Sequence, residues 1–269
     1  MELQSIGFIG CGNMGGALLR SVVDNGVFAP SRVYASDARK EQLEMLGDIG
    51  INITDNLSLA KNSDVIVLGV KPKDVAGVAA EIKGGMDGGK VLISIAAGVS
   101  TRTIESYFEG SGIPVIRVMP NLNIKVKAGL LPYCLGRYAK NLKGVIEKIF
   151  SFSGFVFGLG EEKFDAVTAI SGSGPGFIFF IAEIMESICK AKGFTPEEAD
   201  LISAYIIYGS GKNLIEAGTS PAVLKKMVSS PGGTTLAGLS VFVERGLQAI
   251  FEEAIEKAEK RSRELSEAL

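Results

Sequence analysis

The sequence predicts a doubly wound, mostly parallel α/β sheet followed by an all-helical region. Three observations carry that expectation. Short β-branched runs alternate with helical patterns through the first 160 residues. Two of these runs, residues 64–70 (DVIVLGV) and 90–96 (KVLISIA), are apolar almost without a break, as central parallel strands covered on both faces must be. After Gly160 no further strand-like run occurs. The chain has 269 residues, enough for two modest domains, and the change of character divides it into 1–160 and 161–269.

In chain order, residues 5–10 (SIGFIG) read as the first strand and 14–25 as the helix behind it. Residues 32–36 form the second strand, 38–46 a helix and 51–53 a short third strand. The two apolar runs are the fourth and fifth. Strands at 114–119 and 130–135 follow, then a helix near 140–150 and a last strand near 155–159. Beyond Gly160, helical patterns cover 162–170, 175–191, 196–216, 221–228, 234–244 and 246–266. Thr195-Pro196-Glu197-Glu198 is a helix start, with a capping hydroxyl, Pro in the first turn and acids at the positive dipole end. The last helix carries Glu253/Lys257 and Glu256/Lys260 at i,i+4, which is surface support. The stretch 176–182 (GFIFFIA) is followed by Glu183 and Glu186, falls far short of a membrane span, and reads as a buried helix. Together with 204–208 (AYIIY) it gives more apolar surface than one small bundle can hide, so an interlocked dimer is expected.

Composition excludes several chemistries. Histidine is absent, which removes Ser-His-Asp and Cys-His nucleophiles, His-bound zinc and a His general acid. Cys11, Cys134 and Cys189 are far apart and form no CxxC, so neither a zinc knuckle nor a redox dithiol is indicated; a reduced, cytoplasmic protein is expected. A net charge of −2 argues against a nucleic-acid binder. No basic, then apolar, N-terminal segment marks a signal peptide, so a soluble protein is expected. Glu183 and Glu186 share a helix face but have no His or Cys nearby, so no metal site is expected.

Glycine placement is the informative feature. Gly10-Cys11-Gly12-Asn13-Met14-Gly15 fits G-x-G-x-x-G directly after the first strand and at the start of a helix. Gly10 allows the tight turn, Gly12 lets the backbone approach a pyrophosphate, and Gly15 lets helix and strand pack closely. That context makes the sheet Rossmann-type and predicts a bound dinucleotide. Asp37, beyond the second strand, lies where a carboxylate reads the ribose 2′-hydroxyl of NAD, or caps a helix. Its neighbours Ser36, Arg39 and Lys40 suit a 2′-phosphate, so the choice between NADPH and NADH stays open. Val70-Lys71-Pro72 and Ala96-Ala97-Gly98 follow the two central strands at their carboxyl ends, where ligands bind in such sheets. In the helical half, residues 171–176 (SGSGPG) and 229–235 (SSPGGTT) each open an apolar helix. Bare N–H groups there would make an anion nest suited to a carboxylate, against a plain reading as tight helix connections. Thr235 adds a hydroxyl that can bond a ring nitrogen. Gly209-Ser210-Gly211-Lys212 is only superficially a P-loop, since Ile206 and Asn213 replace its first glycine and its Ser/Thr; it is expected inside a helix.

With these segments in hand, the chain resembles the pyrroline-5-carboxylate reductase family over essentially its whole length. The resemblance rests on FIGCGNMG (8–15), VKP (70–72), SIAAGV (94–99), RVMPN (117–121), DAVTAISGSGPGF (165–177) and SSPGGTT (229–235). It implies reduction of 1-pyrroline-5-carboxylate to L-proline, the last step of proline biosynthesis, with NADPH as cofactor and NADH as the alternative. It also implies an intertwined homodimer, with a larger ring such as a decamer as a further level of assembly. Cofactor contacts are implied at Gly10, Gly12, Asn13, Met14, Gly15, Asn56, Val70, Lys71 and Ala97, to which the loop reading adds Ser36, Asp37 and Pro72. Substrate contacts are implied at Ser230, Gly232, Gly233 and Thr234, with Thr235 at the ring nitrogen as the catalytic contact, and at Glu161, where the family places a substrate-side carboxylate. The chain departs from the family at Leu122-Asn123 (usually Thr-Pro), at Gly176 (usually Ala) and at Met227, where some relatives are polar. Two other readings stay open: reduction of a pyrroline-2- or piperideine-carboxylate, and a non-catalytic dinucleotide-binding module. A β-hydroxyacid dehydrogenase shares the glycine opening but needs a lysine soon after the interdomain glycines, and none occurs between Gly176 and Lys190.

Overall fold

The structure, a computed structural model, describes residues 3–267. Eight strands form one sheet in the order β3-β2-β1-β4-β5-β6-β7-β8. They are β1 (Ile6–Ile9), β2 (Val33–Ser36), β3 (Asn52–Ile53), β4 (Val65–Leu68), β5 (Val91–Ser94), β6 (Val115–Val118), β7 (Gly129–Leu135) and β8 (Gly154–Gly158). Every pairing is parallel except β6 with β7, where Arg117 lies opposite Cys134. All eight expected strands are present. The two apolar runs extend past their ladders, so Gly69-Val70 and Ile95-Ala96 are loop residues at the carboxyl ends of β4 and β5. The chain reverses its strand order at β1 and β4, which is where an open sheet of this kind leaves a crevice.

Period-2 alternation builds both faces of the sheet. Ile6 and Phe8 of β1, Val65 and Val67 of β4, and Val91 and Ile93 of β5 enter one core, closed by Leu18, Leu19 and Val22 of α1 (Asn13–Asp24). Helix α2 (Lys40–Glu44) is shorter than the expected 38–46: Arg39 is its N-cap, and Met45-Leu46 form a turn that leads into a 3-10 turn at Gly47–Ile49. Ile66 and Leu68 of β4 and Leu92 of β5 point the other way. They meet α3 (Asn56–Asn62), α4 (Val75–Ile82) and α5 (Thr101–Tyr107). Helix α6 (Lys143–Phe150) returns to the first face with Ile146, Ile149 and Phe150.

Past β8 no strand occurs among the described residues. The expected single helix at 162–170 is instead three pieces: a 3-10 turn at Glu161–Lys163, α7 (Phe164–Val167), and a π-helical turn at Thr168–Gly172. Then follow α8 (Gly174–Ala191), α9 (Pro196–Glu216), α10 (Pro221–Met227), α11 (Thr234–Glu244) and α12 (Leu247–Glu267). The start of α9 is a capping box: Thr195 Oγ1 accepts from the Glu198 N–H at 3.2 Å, and Glu198 Oε2 accepts from the Thr195 N–H at 2.9 Å. The GSGK tetrad lies inside α9.

The chain falls into two compact units, residues 1–173 with 258–269, and residues 174–257. Helix α12 starts in the second and ends in the first, where Ser262 Oγ donates to Asp165 Oδ1 at 2.8 Å. Of α8 only Pro175 is buried, so the expectation of a buried helix at 176–182 is not met within one protomer. Ile178, Phe179 and Phe180, with Leu201, Tyr205 and Tyr208 of α9, are exposed. By length and composition 161–191 could cross a bilayer, but its Glu161–Phe164 end is packed into the first unit. Most of its apolar surface has no cover from this chain.

Candidate active site

The carboxyl ends of the parallel strands gather one group of the expected residues within the first unit. Gly10 follows β1 at φ +90°, a conformation open to glycine. A Cβ there would lie 2.6 Å from the Gly69 carbonyl carbon, and one at Gly15 would overlap the Gly10 carbonyl oxygen. This contact brings the β1 turn, the start of α1 and the end of β4 together. No side chain caps α1, so the backbone N–H groups of its first turn, at Asn13, Met14 and Gly15, face outward. A Cβ on Gly12 would come within 3.2 Å of Arg39 Nη2, so glycine keeps the space between the loop and that guanidinium clear. This cradle fits a pyrophosphate, and the site chemistry fits a dinucleotide.

Asp37 is placed here in a way the sequence did not anticipate. Its Oδ2 accepts from the Cys11 N–H at 2.7 Å and its Oδ1 from the Arg39 N–H at 2.8 Å. Its side chain is 7% exposed, against 63% for Arg39. Both oxygens therefore tether the glycine loop and the β2–α2 turn, while Arg39 and Lys40 face solvent. Burial, reinforced by the Asp37 charge, pushes the Cys11 thiol up to about 12, so it stays protonated. Ser36 ends β2 and is buried. Asn56 opens α3 and donates to Glu81 Oε2 at 2.6 Å. Val70 is half-buried, Lys71 is exposed, and Pro72 starts a 3-10 turn after β4. Ala97 is half-buried beside Gly98, whose φ is +76°.

A second group, also in the first unit, surrounds the ends of β5 and β6. Asn121 is buried; its Nδ2 donates to the Ser171 carbonyl at 3.2 Å and its Oδ1 accepts from the Leu130 N–H at 3.2 Å. The loop after β6 is thereby tied to the π-helical turn, a distortion frequent at functional sites. Leu122 is exposed and begins a 3-10 turn, Leu122–Val126. Glu161 accepts from the Thr101 N–H at 2.7 Å and from Thr101 Oγ1 at 2.5 Å, and pairs with Arg117 Nη1 at 3.4 Å. Arg117 is 5% exposed and lies 4.6 Å from the centroid of the Phe164 ring. Among the described residues its Nη2 has no hydrogen-bond acceptor; the ring's π face is the nearest compensation. Burial first, then the Glu161 charge, also raises the Cys134 thiol to about 12. Sequence reasoning assigned no role to Arg117 or Thr101. A signal existed: a charge within the four-residue buried strand VIRV requires a buried partner.

The third group is one loop of the second unit. The Gly233 N–H donates to the Ser230 carbonyl at 2.9 Å, Gly232 has φ +73°, and Ser229 Oγ donates to the Lys225 carbonyl at 2.6 Å. No side chain caps α11, leaving the first-turn N–H groups of this 11-residue helix free of side-chain partners. Ser230 and Thr234 are exposed, and Thr235 is half-buried in the first turn. A Cβ on Gly233 would lie 2.7 Å from Ser230 Oγ. Ser230, Gly232, Gly233, Thr234 and Thr235 thus lie together on one loop and helix start, an arrangement of N–H groups and hydroxyls that suits a small anion. Met227 ends α10 and is exposed.

A model described as pyrroline-5-carboxylate reductase dimerisation matches residues 161–265, and one described as NADP oxidoreductase, coenzyme F420-dependent, matches residues 5–98. The chain is 38% identical to a pyrroline-5-carboxylate reductase of Methanosarcina acetivorans, with 98% of this chain and 99% of that one covered. It is 34% identical to the Arabidopsis thaliana enzyme of the same name, with 99% and 97% covered. Among solved structures it superposes on a pyrroline-5-carboxylate reductase of Coxiella burnetii with TM-score 0.90 at 32% identity, over 98% of this chain and 99% of that one. It also superposes on a Plasmodium falciparum pyrroline carboxylate reductase with NADP bound, with TM-score 0.88 at 27% identity and 99% of each chain covered.

Proposed function

The chain belongs to the pyrroline-5-carboxylate reductase family, and from that membership we propose how its residues divide the work of the reaction. It is an NAD(P)H-dependent oxidoreductase of proline biosynthesis that reduces 1-pyrroline-5-carboxylate to L-proline. When bound, the nicotinamide supplies the hydride for the imine carbon. The observation that carries the assignment of roles is the pair of uncapped helix starts, α1 behind a glycine turn and α11 behind SSPGGTT. Each offers N–H groups and a positive dipole end to an anion.

Functionally the chain divides into a nucleotide-binding part, 1–160, and a dimerisation and substrate-binding part, 161–269. The turn at Gly10, Gly12, Asn13, Met14 and Gly15 holds the pyrophosphate. Ser36, Asn56, Val70, Lys71, Pro72 and Ala97 line the rest of the cofactor's path along the strand ends. Asp37 serves this site by fixing the Cys11 N–H and the Arg39 turn, which leaves the ribose end to Arg39 and Lys40 and favours NADPH. Ser230 and the backbone at Gly232, Gly233 and Thr234 hold the substrate carboxylate, and Thr235 Oγ1 orients the ring nitrogen. A protonated imine is already a strong electrophile, so no strong general acid is required. This chemistry suits a chain without histidine. Positioning supplies the rate, where well-oriented groups reach effective molarities on the order of 10⁵ M or more.

The protein is a homodimer through its helical part. We further propose that the dimer is intertwined, that it assembles into a larger ring such as a decamer, and that the enzyme is cytoplasmic. The apolar exposure of α8 and α9 and three free cysteines, two of them buried, support these readings. The test of function is nicotinamide oxidation by the purified chain with 1-pyrroline-5-carboxylate and, separately, its pyrroline-2 isomer. Turnover of the 5-isomer with NADPH favoured over NADH is expected. Turnover of the 2-isomer alone would overturn the substrate assignment, and an NADH preference would overturn the role given to Arg39.

A further inference from the structure

Glu161 stands where β8 gives way to the helical segment, and each of its oxygens faces inward onto the first unit. Oε1 accepts from the Thr101 N–H, the first helical residue of α5, and pairs with Arg117; Oε2 accepts from Thr101 Oγ1. Ser100 Oγ caps the same helix by accepting from the Thr103 N–H at 3.0 Å. The start of α5 therefore has two anchors, one local and one sixty residues away in sequence. Only Ile95–Ser100 separates that anchored start from the end of β5, and the segment contains Ala97 and the turn at Gly98. A shift at Thr101 is passed to Ala97 through the three intervening residues of a short loop.

Arg117 makes the arrangement rigid. It is buried in β6, Glu161 is its one ion-pair partner among the described residues, and the Phe164 ring covers its remaining face. If Glu161 turned toward a substrate, it would leave a buried guanidinium unpaired, which costs far more than an exposed pair is worth. Phe164 lies three residues beyond Glu161, and Asp165 beside it accepts from Ser262 Oγ, so the same short segment is pinned again.

We propose that Glu161 is a positioning residue: buttressed by Arg117, it holds Thr101 and so sets the Ala96–Ser100 loop, with its cofactor contact Ala97, without touching the substrate. This rests on the nucleotide-binding role given to the first unit. It makes Thr101 and Arg117 members of the same device and departs from the substrate contact that family resemblance implies for Glu161.

The experiment compares Thr101→Val, Thr101→Ser and Glu161→Gln with the wild-type homodimer. It measures the fluorescence titration of NADPH, steady-state constants for both substrates, and the far-UV spectrum. Thr101→Val deletes the hydroxyl donor yet leaves the Glu161–Arg117 pair intact, so it reports even where Glu161→Gln fails to fold. We expect Thr101→Val to weaken NADPH binding or lower kcat by about tenfold, the scale of one hydrogen bond to a charged group, with KM for 1-pyrroline-5-carboxylate unchanged. Thr101→Ser should restore both. Glu161→Gln should move the same constants, and an enzyme carrying both Thr101→Val and Glu161→Gln should be no worse than the more damaged single, as for one coupled unit. A rise in KM for the imino acid with NADPH binding intact would overturn the proposal, as would a Thr101→Val enzyme like wild type. A wild-type chain that binds no NADPH would instead overturn the nucleotide assignment and everything resting on it.

Discussion

At the scale of single residues, the proposed chemistry rests on a few hydroxyls and N–H groups. Thr235→Ala removes the one side-chain contact assigned to the reacting nitrogen. Turnover should fall roughly 10²-fold, the scale of one positioned hydrogen-bonding group, with NADPH affinity unchanged in a direct titration. The two buried thiols give a pH dependence. Both fold with pKa values raised from 9.0 to about 12. In the unfolded chain they lose protons above pH 9, whereas in the native state they keep them, so the unfolded form binds fewer protons and stability falls as pH rises from 9 toward 12. The slope is up to about 1.4 kcal/mol per pH unit for each thiol. Denaturant unfolding at successive pH values should show it, and Cys134→Ala should remove one thiol's share. Gly10 and Gly15 were legible in the sequence because each is glycine for a physical reason, a positive φ at Gly10 and no room for a Cβ at Gly15. Asp37 was legible only in part: its position was read, but which group its carboxylate meets depends on how the β2 turn folds back on Cys11.

At the scale of elements, the strands could be read because β-branched runs buried on both faces have no competing interpretation. Helices α3, α4 and α5, each of only two turns, were not singled out in the sequence. For α3 and α5 the marks were caps: Asp55 Oδ1 accepts from the Ser58 N–H at 2.9 Å, and Ser100 Oγ accepts from the Thr103 N–H at 3.0 Å. The π-helical turn left no sequence signal at all, since it follows from fitting Ser171 against Asn121, a partner fifty residues earlier. The meeting of β1, α1 and β4 allows no Cβ at position 15. Gly15→Ala is expected to force the Gly10 carbonyl aside, splay α1 from the sheet and weaken NADPH binding by tenfold or more, on the order of a misplaced phosphate-binding element. A fluorescence titration would read it, and a native-like affinity would show that the turn can yield.

For the whole molecule, the helical part displays a row of large apolar side chains that only a second chain can bury. Phe180 is 61% exposed in a single protomer. Phe180→Glu is expected to weaken dimerisation by more than tenfold, since burying a phenylalanine is worth about 1.5–3 kcal/mol. Sedimentation at graded concentration would measure that loss. The wild-type melting temperature should also rise with protein concentration, as it does when folding and association are linked.

Because α12 runs back to place Ser262 on Asp165, the second unit begins and ends on the first, like a page bound at both margins. Force applied to the two ends of the chain is therefore borne by the nucleotide-binding unit alone until that unit yields. In a single-molecule pulling record the docking of the α12 end on the first unit should yield before the helical unit is stretched. A nascent chain leaving the ribosome meets the same constraint in reverse: it has made every strand, yet it cannot complete its first unit until the last helix has emerged.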